Sequence, residues 1–324
     1  MGGRGWIALL ALLLLAAAGV QLSMASFTSN TTSNPNSGFG ANADWIAPAV
    51  GSSVIVKAAG GTVGAISKSR TFYVFANVSD SGNPASGVAT VTADVNSLVN
   101  GGSAVTLSAG SYATGGVAYN RRSALLTARS TLAAGSTPYA LTAADAGGNR
   151  ATVGGFSVTV DNTVPTSSDV QTANAAGGTT GKPELGDVLQ LTYSERIEPV
   201  SIIAGWTGPA TGVVVRIADG GGGNDILTIR NAANSAQLPL GSINLGRSDY
   251  VTATRDFGAT ATTSQMTQSA SVIAVTLGTA SGTTGTAAAA AAMVWTPSAT
   301  ATDTAGNAST TTARTETGAA DLDF

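Results

Sequence analysis

The feature of this sequence that most limits its fold is a rhythm. From residue 44 onward, short runs rich in β-branched and aromatic residues recur between clusters of Gly, Asn, Asp and Pro. Alternation with period two over about four to eight residues predicts a half-buried strand, and turn residues between such runs predict an all-β sandwich or barrel. Runs at 71–76, 88–94, 123–128, 139–143 and 156–160 form one series, with a turn signal at Gly82-Asn83-Pro84. Runs at 189–193, 213–217, 226–229, 272–277 and 298–302 form a second, in which the glycine-rich stretch 219–225 is expected to be a hairpin loop. Past the N-terminal segment no stretch keeps a long 3.6-residue period. Residues 231–237 are expected to form a helical turn or two. The alanine run 287–292 has high helix propensity, but its Thr and Gly flanks and the strand-like Met293-Val294-Trp295 support a loop equally well.

Composition narrows the chemistry. Histidine and cysteine are both missing. That excludes Ser-His-Asp and Cys-His catalysis, imidazole and thiolate metal sites, and disulfide frameworks. Charged residues are 10% of the chain, against about 25% in ordinary soluble domains. The net charge is −3 with no basic run, which argues against a nucleic-acid partner. An apolar share of 43% is too high for a disordered chain.

Arg4 is the only charge before residue 44, and an uncharged apolar run from Trp6 to Val20 follows it. Ser23-Met24-Ala25 then has the small-x-small pattern of a cleavage site. The run would make about 22 Å of helix, short of the roughly 30 Å hydrocarbon core. The expectation is a helical signal peptide over 1–25, cut after Ala25, with membrane contact only through this segment if it is retained. Residues 26–43 are uncharged and rich in Ser, Thr and Asn, which predicts a flexible linker. Within this region, Ala25-Ser26-Phe27-Thr28 and Asn34-Pro35-Asn36-Ser37-Gly38-Phe39 resemble the start of TasA- or camelysin-like secreted proteins. That resemblance implies cell-surface or matrix material.

Two punctuation marks recur. Asp44-Trp45-Ile46-Ala47-Pro48 and Asp161-Asn162-Thr163-Val164-Pro165 share D-x-x-x-P. Asp145-Ala146-Gly147-Gly148-Asn149 and Asp303-Thr304-Ala305-Gly306-Asn307 share D-x-x-G-N. Pro suits an extended entry at a sheet edge, and Asp, Gly and Asn suit a tight hairpin. The separations between the marks differ, so the two halves are cousins rather than an exact repeat. Asp161 to Thr166 and Asp303 to Asn307 resemble the opening and closing motifs of bacterial immunoglobulin-like (Ig-like) domains. Leu191-Thr192-Tyr193-Ser194-Glu195-Arg196-Ile197 resembles the L-x-F-S-E-P-I segment of surface-layer Ig-like repeats, with Tyr193 and Arg196 as departures. The resemblance implies a spacer, adhesin or scaffold and brings no catalytic residues.

Several residues are candidates for sites. Calcium takes clustered oxygen ligands, often from Asp on loops. Asp44, Asp80, Asp145 and Asp161 are candidates to meet at module ends, and Asp219 and Asp225 to meet around the glycine loop. None has the EF-hand spacing, and turn-forming Asp is the simpler account. Glu184, Asp187, Glu195 and Glu198 are the carboxylates from which a glycoside hydrolase would need two about 5–10 Å apart; Glu195 and Glu198 lie at a strand end, and surface solvation is the simpler account of those two. Trp45, Trp206 and Trp295 are candidate sugar platforms, with Trp206, beside Gly205 and Gly208, expected to be the exposed one.

The expectation is therefore an all-β chain of two tandem Ig-like β-sandwich domains, 44–161 and 162–324. It is expected to be a secreted or cell-surface scaffold, spacer or adhesion module without catalytic activity. Its partners would be surface or matrix proteins, glycans or further copies of itself, with calcium the one candidate cofactor. A carbohydrate-binding module using Trp206 is the alternative.

Overall fold

A computed structural model describes residues 44–81, 84–320, 322 and 324. The signal-peptide and linker expectations, residues 1–43, and most of the Gly82-Asn83-Pro84 turn lie outside the described residues. The described chain is nearly all β and forms two bodies, each built on one large sheet, within a single compact unit.

The first body runs β1(Ala49–Lys57), β2(Ala65–Ile66), β3(Thr71–Ser79), β4(Val88–Asp94), β5(Val105–Thr114), β6(Val117–Ser123), β7(Leu126–Thr127), β8(Gly135–Asp145) and β9(Arg150–Val160). Its order is β1-β3-β6-β5-β4-β8-β9-β2, with β7 on β3. Strand β5 turns one sheet into two layers. Val105 and Thr106 pair with β4, while Leu107 to Thr114 pair with β6. Period-two alternation then sends Ile55, Phe72, Val74, Val91, Leu107, Leu141 and Val158 into one core between the layers. The β5–β6 hairpin closes through Gly115-Gly116, both at positive φ, as a two-residue hairpin turn of this hand demands.

The second body runs β10(Ser167–Ala173), β11(Val188–Tyr193), the one-turn helix α1(Pro199–Ile202), β12(Thr211–Ala218), β13(Ile226–Asn231), β14(Gln237–Asn244), β15(Arg255–Phe257), β16(Ser264–Ser269), β17(Val272–Thr276), β18(Val294–Thr296) and β19(Arg314–Thr315). Its order is β10-β11-β17-β16-β12-β13-β14-β18-β19, with β15 on β12. Contacts from β10 to the 312–317 segment draw the two edges together: Ser167 Oγ donates to Thr312 O, Gln171 Nε2 donates to Thr317 O, and Asp169 Oδ1 accepts from Thr317 N. The core is larger here and centres on Trp295, which stands edge-on to Tyr193 at 4.8 Å and donates its indole N–H to Leu240 O.

Most expected runs are strands, and the 219–225 loop joins β12 to β13 as a hairpin. Three expectations are corrected, and the open choice for the alanine run is resolved. Residues 231–237 form a tight turn, in which the Asn231 side chain accepts from Ser235 N and Ala236 N. Residues 298–302 are not a strand, because Ser298 bonds Thr300 through both hydroxyl and backbone and curls the chain after Pro297. The run 123–128 is split between the end of β6 and the two-residue β7. The alanine run is a loop whose amides reach outward, Ala287 N to Gly181 O and Ala288 N to Asp249 Oδ2, instead of back along a helix. The only helix among the described residues, α1, begins at a Pro and went unanticipated.

Candidate metal centres

The two D-x-x-G-N turns share the same Asp–Asn bonds. In the first, Asn149 N donates to Asp145 Oδ1 at 2.8 Å, and Asn149 Nδ2 donates to Asp145 Oδ2 at 2.8 Å and to Asp44 O at 3.0 Å. In the second, Asn307 N donates to Asp303 Oδ1 at 2.8 Å, and Asn307 Nδ2 to Asp303 Oδ2 at 2.8 Å and to Asp161 O at 2.9 Å. Gly148 and Gly306 sit at the same place with φ of 94° and 95°, where a side chain would be strained. Each turn thus ties itself, through the Asn amide, to the D-x-x-x-P entry of its own body. This is the turn chemistry expected from the sequence, extended by a tertiary bond.

That tie gathers acids. Carboxylate oxygens of Asp44, Asp80 and Asp145 lie within 4.8 Å of one another, and so do those of Asp161, Glu195 and Asp303. Two oxygens on opposite sides of a calcium ion at about 2.4 Å each would stand about 4.8 Å apart. In each cluster one carboxylate oxygen, Asp80 Oδ1 or Glu195 Oε1, is shut from solvent and accepts no hydrogen bond. A shielded carboxylate oxygen without a donor is costly, and a hard cation is the partner that its chemistry fits. The electrostatics of the second cluster agree. Burial first, then the charges of Asp303 and Asp161, push the Glu195 carboxyl up to about 7. In the first cluster the N–H of Ile46, followed by Ser86, holds the Asp44 carboxyl below its ordinary value. If these sites take calcium, the three carboxylates of each would supply part of its shell.

The structure therefore brings Asp44 and Asp145 together and places Asp161 in a separate, equivalent cluster. Asp80 joins the first group as anticipated, but Glu195 and Asp303 were not read as cation ligands. A signal for the third member does exist: Ser79-Asp80 and Ser194-Glu195 each place a Ser-acid pair at the end of a core strand. Asp219 and Asp225 do not join such a group. Asp219 accepts from Gly221 N, while the fully buried Asp225 accepts from Gly220, Tyr250 and Val251 N. Those amides use the carboxylates to hold the glycine loop. The other carboxylates also have structural partners: Glu184 bonds Lys182 and Thr179, and Asp187 bonds Ala175 N and Glu184 N. Trp206 is only 7% exposed and donates Nε1–H to Pro209 O. It is therefore packed, not the open platform expected, because the flanking glycines let the chain fold over it. Among the described residues Trp45, at 76%, is the exposed tryptophan.

Next to the second cluster lies the joint between the bodies. Lys57, at the end of β1, donates to Glu198 Oε2 at 2.6 Å, Thr304 O at 2.8 Å and Thr62 O at 3.2 Å, which uses all three ammonium donors. Glu198 Oε2 also accepts from Thr62 N. Both charged side chains are 4% exposed. A Cβ on Gly61 would fall 2.5 Å from the Glu198 carboxyl carbon, so only glycine lets this loop close over the pair. The connecting segment has no slack: Asn162 bonds Lys68 N and Leu132 O on one side, and Pro165 O accepts from Ser309 Oγ and Thr310 N on the other.

Removing one partner strands the other charge in the interior. Lys57→Met should therefore cost about 3–5 kcal/mol by chemical denaturation, while Lys57→Met combined with Glu198→Met should recover most of the loss. Equal losses in the single and double variants would contradict the pairing. A second prediction concerns pH. Glu195 holds its proton more tightly folded than unfolded, so its protonation favours the folded state. Its contribution is complete below the ordinary value of 4.5 and is lost as pH rises through about 7. In calcium-free buffer the thermal midpoint should fall across that window, and Glu195→Gln should flatten the fall. A midpoint that rises there, or a variant with the same profile, would contradict the assignment.

Neither the models of known protein families nor the curated proteins give a match to this chain.

Proposed function

We propose that this chain is a non-catalytic structural or adhesive protein of the cell surface or extracellular matrix. In this reading its two Ig-like bodies act as one stiff spacer, and calcium braces the acidic clusters at the entry to each body. The observation that carries it is the joint. A flexible tether would not need a buried Lys57–Glu198 pair, a glycine admitted by that pair and a connector bonded on both sides. Breaking that joint strands charge, so bending between the bodies costs far more than it would at a solvated linker.

Export is supported by the N-terminal sequence pattern alone, and an adhesive role by the low charge and hydroxyl-rich composition. The partners in this reading are surface or matrix proteins, glycans or other copies of the chain. The test is to express the full chain in a bacterial host, fractionate the cells, and sediment the processed protein at high concentration with calcium and with chelator. The reading expects loss of residues 1–25, recovery outside the cytoplasm, and either cell association or calcium-dependent self-association. Cytoplasmic retention, or a monomer that ignores both calcium and cells, would overturn it.

A further inference from the structure

The outer face of the β1–β3–β6–β5 layer carries a second apolar cluster, apart from the core of the first body. Val56, Phe75 and Tyr119 are buried there, with Val54, Tyr73 and Tyr112 packed around them. Phe75 is the hub, with ring centroids 6.1 Å from Tyr73, 6.2 Å from Tyr112 and 5.7 Å from Tyr119. Tyr112 is seated by Gly110, where a Cβ would come within 2.6 Å of its hydroxyl oxygen. These rings are held by packing and do not simply hang from a surface.

Arg122 lies on this cluster. Its guanidinium carbon is 4.7 Å from the centre of the Tyr73 ring and 4.5 Å from that of Tyr112. Among the described residues it takes part in no ion pair and no side-chain hydrogen bond. Arg216 and Arg247, by contrast, hold carboxylates, and Arg129 and Arg230 hold carbonyl oxygens. Cation–π contact fixes the plane of Arg122 but consumes none of its five N–H donors. The result is a pre-set planar fork against two tyrosine rings, with all three side chains partly exposed on the sheet.

We propose that Arg122, Tyr73 and Tyr112 form a binding site for an acidic glycan, in which a sugar carboxylate takes the guanidinium fork and the sugar ring lies against a tyrosine. A fork of this shape matches two carboxylate oxygens, and an aromatic face suits the apolar face of a sugar ring. This site is independent of the acidic clusters and of the joint.

The test titrates the full chain, in calcium-free buffer, with tetragalacturonate, its methyl ester and polyglutamate, followed by calorimetry. Tetragalacturonate should bind, and the ester and polyglutamate should bind at least about tenfold more weakly. Arg122→Gln and Arg122→Lys should each weaken binding by at least about tenfold, the lysine variant because it keeps the charge but loses the planar fork. Thermal unfolding of each variant checks that the fold is intact, and Tyr112→Leu is the substitute where an Arg122 variant does not fold. Absence of binding, equal binding by the variants, or equal binding of the ester would overturn the proposal. Equal binding of polyglutamate would assign the site to acidic peptides instead and overturn it as well.

Discussion

Carboxylates repel one another, and this chain crowds three of them within 4.8 Å at two separate places. Something must offset that repulsion, and the fold supplies part of the answer in both places by the same device. The Asp of each D-x-x-G-N turn is bonded by its own Asn, and that Asn amide also clamps the backbone oxygen of the Asp opening the body. The clamp draws the entry segment to the turn, and the strand that precedes Asp80 or Glu195 delivers the third acid. Local turn chemistry therefore decides where the charges meet.

The joint solves a related problem with the opposite sign. Lys57 and Glu198 are 141 residues apart in sequence, yet they meet out of solvent with every lysine donor used. Thr304, whose carbonyl receives the lysine, belongs to the same turn as Asp303. The acidic cluster and the ion pair between the bodies thus share one short loop. Anything that shifts that loop acts on both, which is why the proposed cation and the proposed stiffness belong to one account.

Much of this was legible in the sequence for a physical reason. Strands such as 71–79 and 211–218 declare themselves because β-branched residues alternate on a sheet with one buried face. The failures fall where side chains compete for the backbone: Ser298 and Thr300 bond each other and bend a stretch that looks extended, and Asn231 curls a stretch that looks helical. The paired motifs revealed the two entry and turn aspartates, and Asp80 stood among the loop acids, while for Glu195 the sequence offered a carboxylate at a strand end and nothing that tied it to a cation. Glu195 and Glu198 looked alike on paper, as two exposed acids near a strand end. One instead joins an acidic cluster and the other a buried ion pair, and only long-range packing separates those fates. Trp206 was misread because neighbouring glycines suggest exposure, whereas here they permit close covering.

The two acidic clusters are proposed as equivalent cation sites at the entries to two linked β bodies. Calorimetric titration of calcium into the full chain at neutral pH tests it most directly. Two sites per chain are expected, with one lost in Asp80→Asn, the other in Glu195→Gln, and neither affected by Asp219→Asn. No calcium binding, or binding that the first two substitutions leave unchanged, would contradict it.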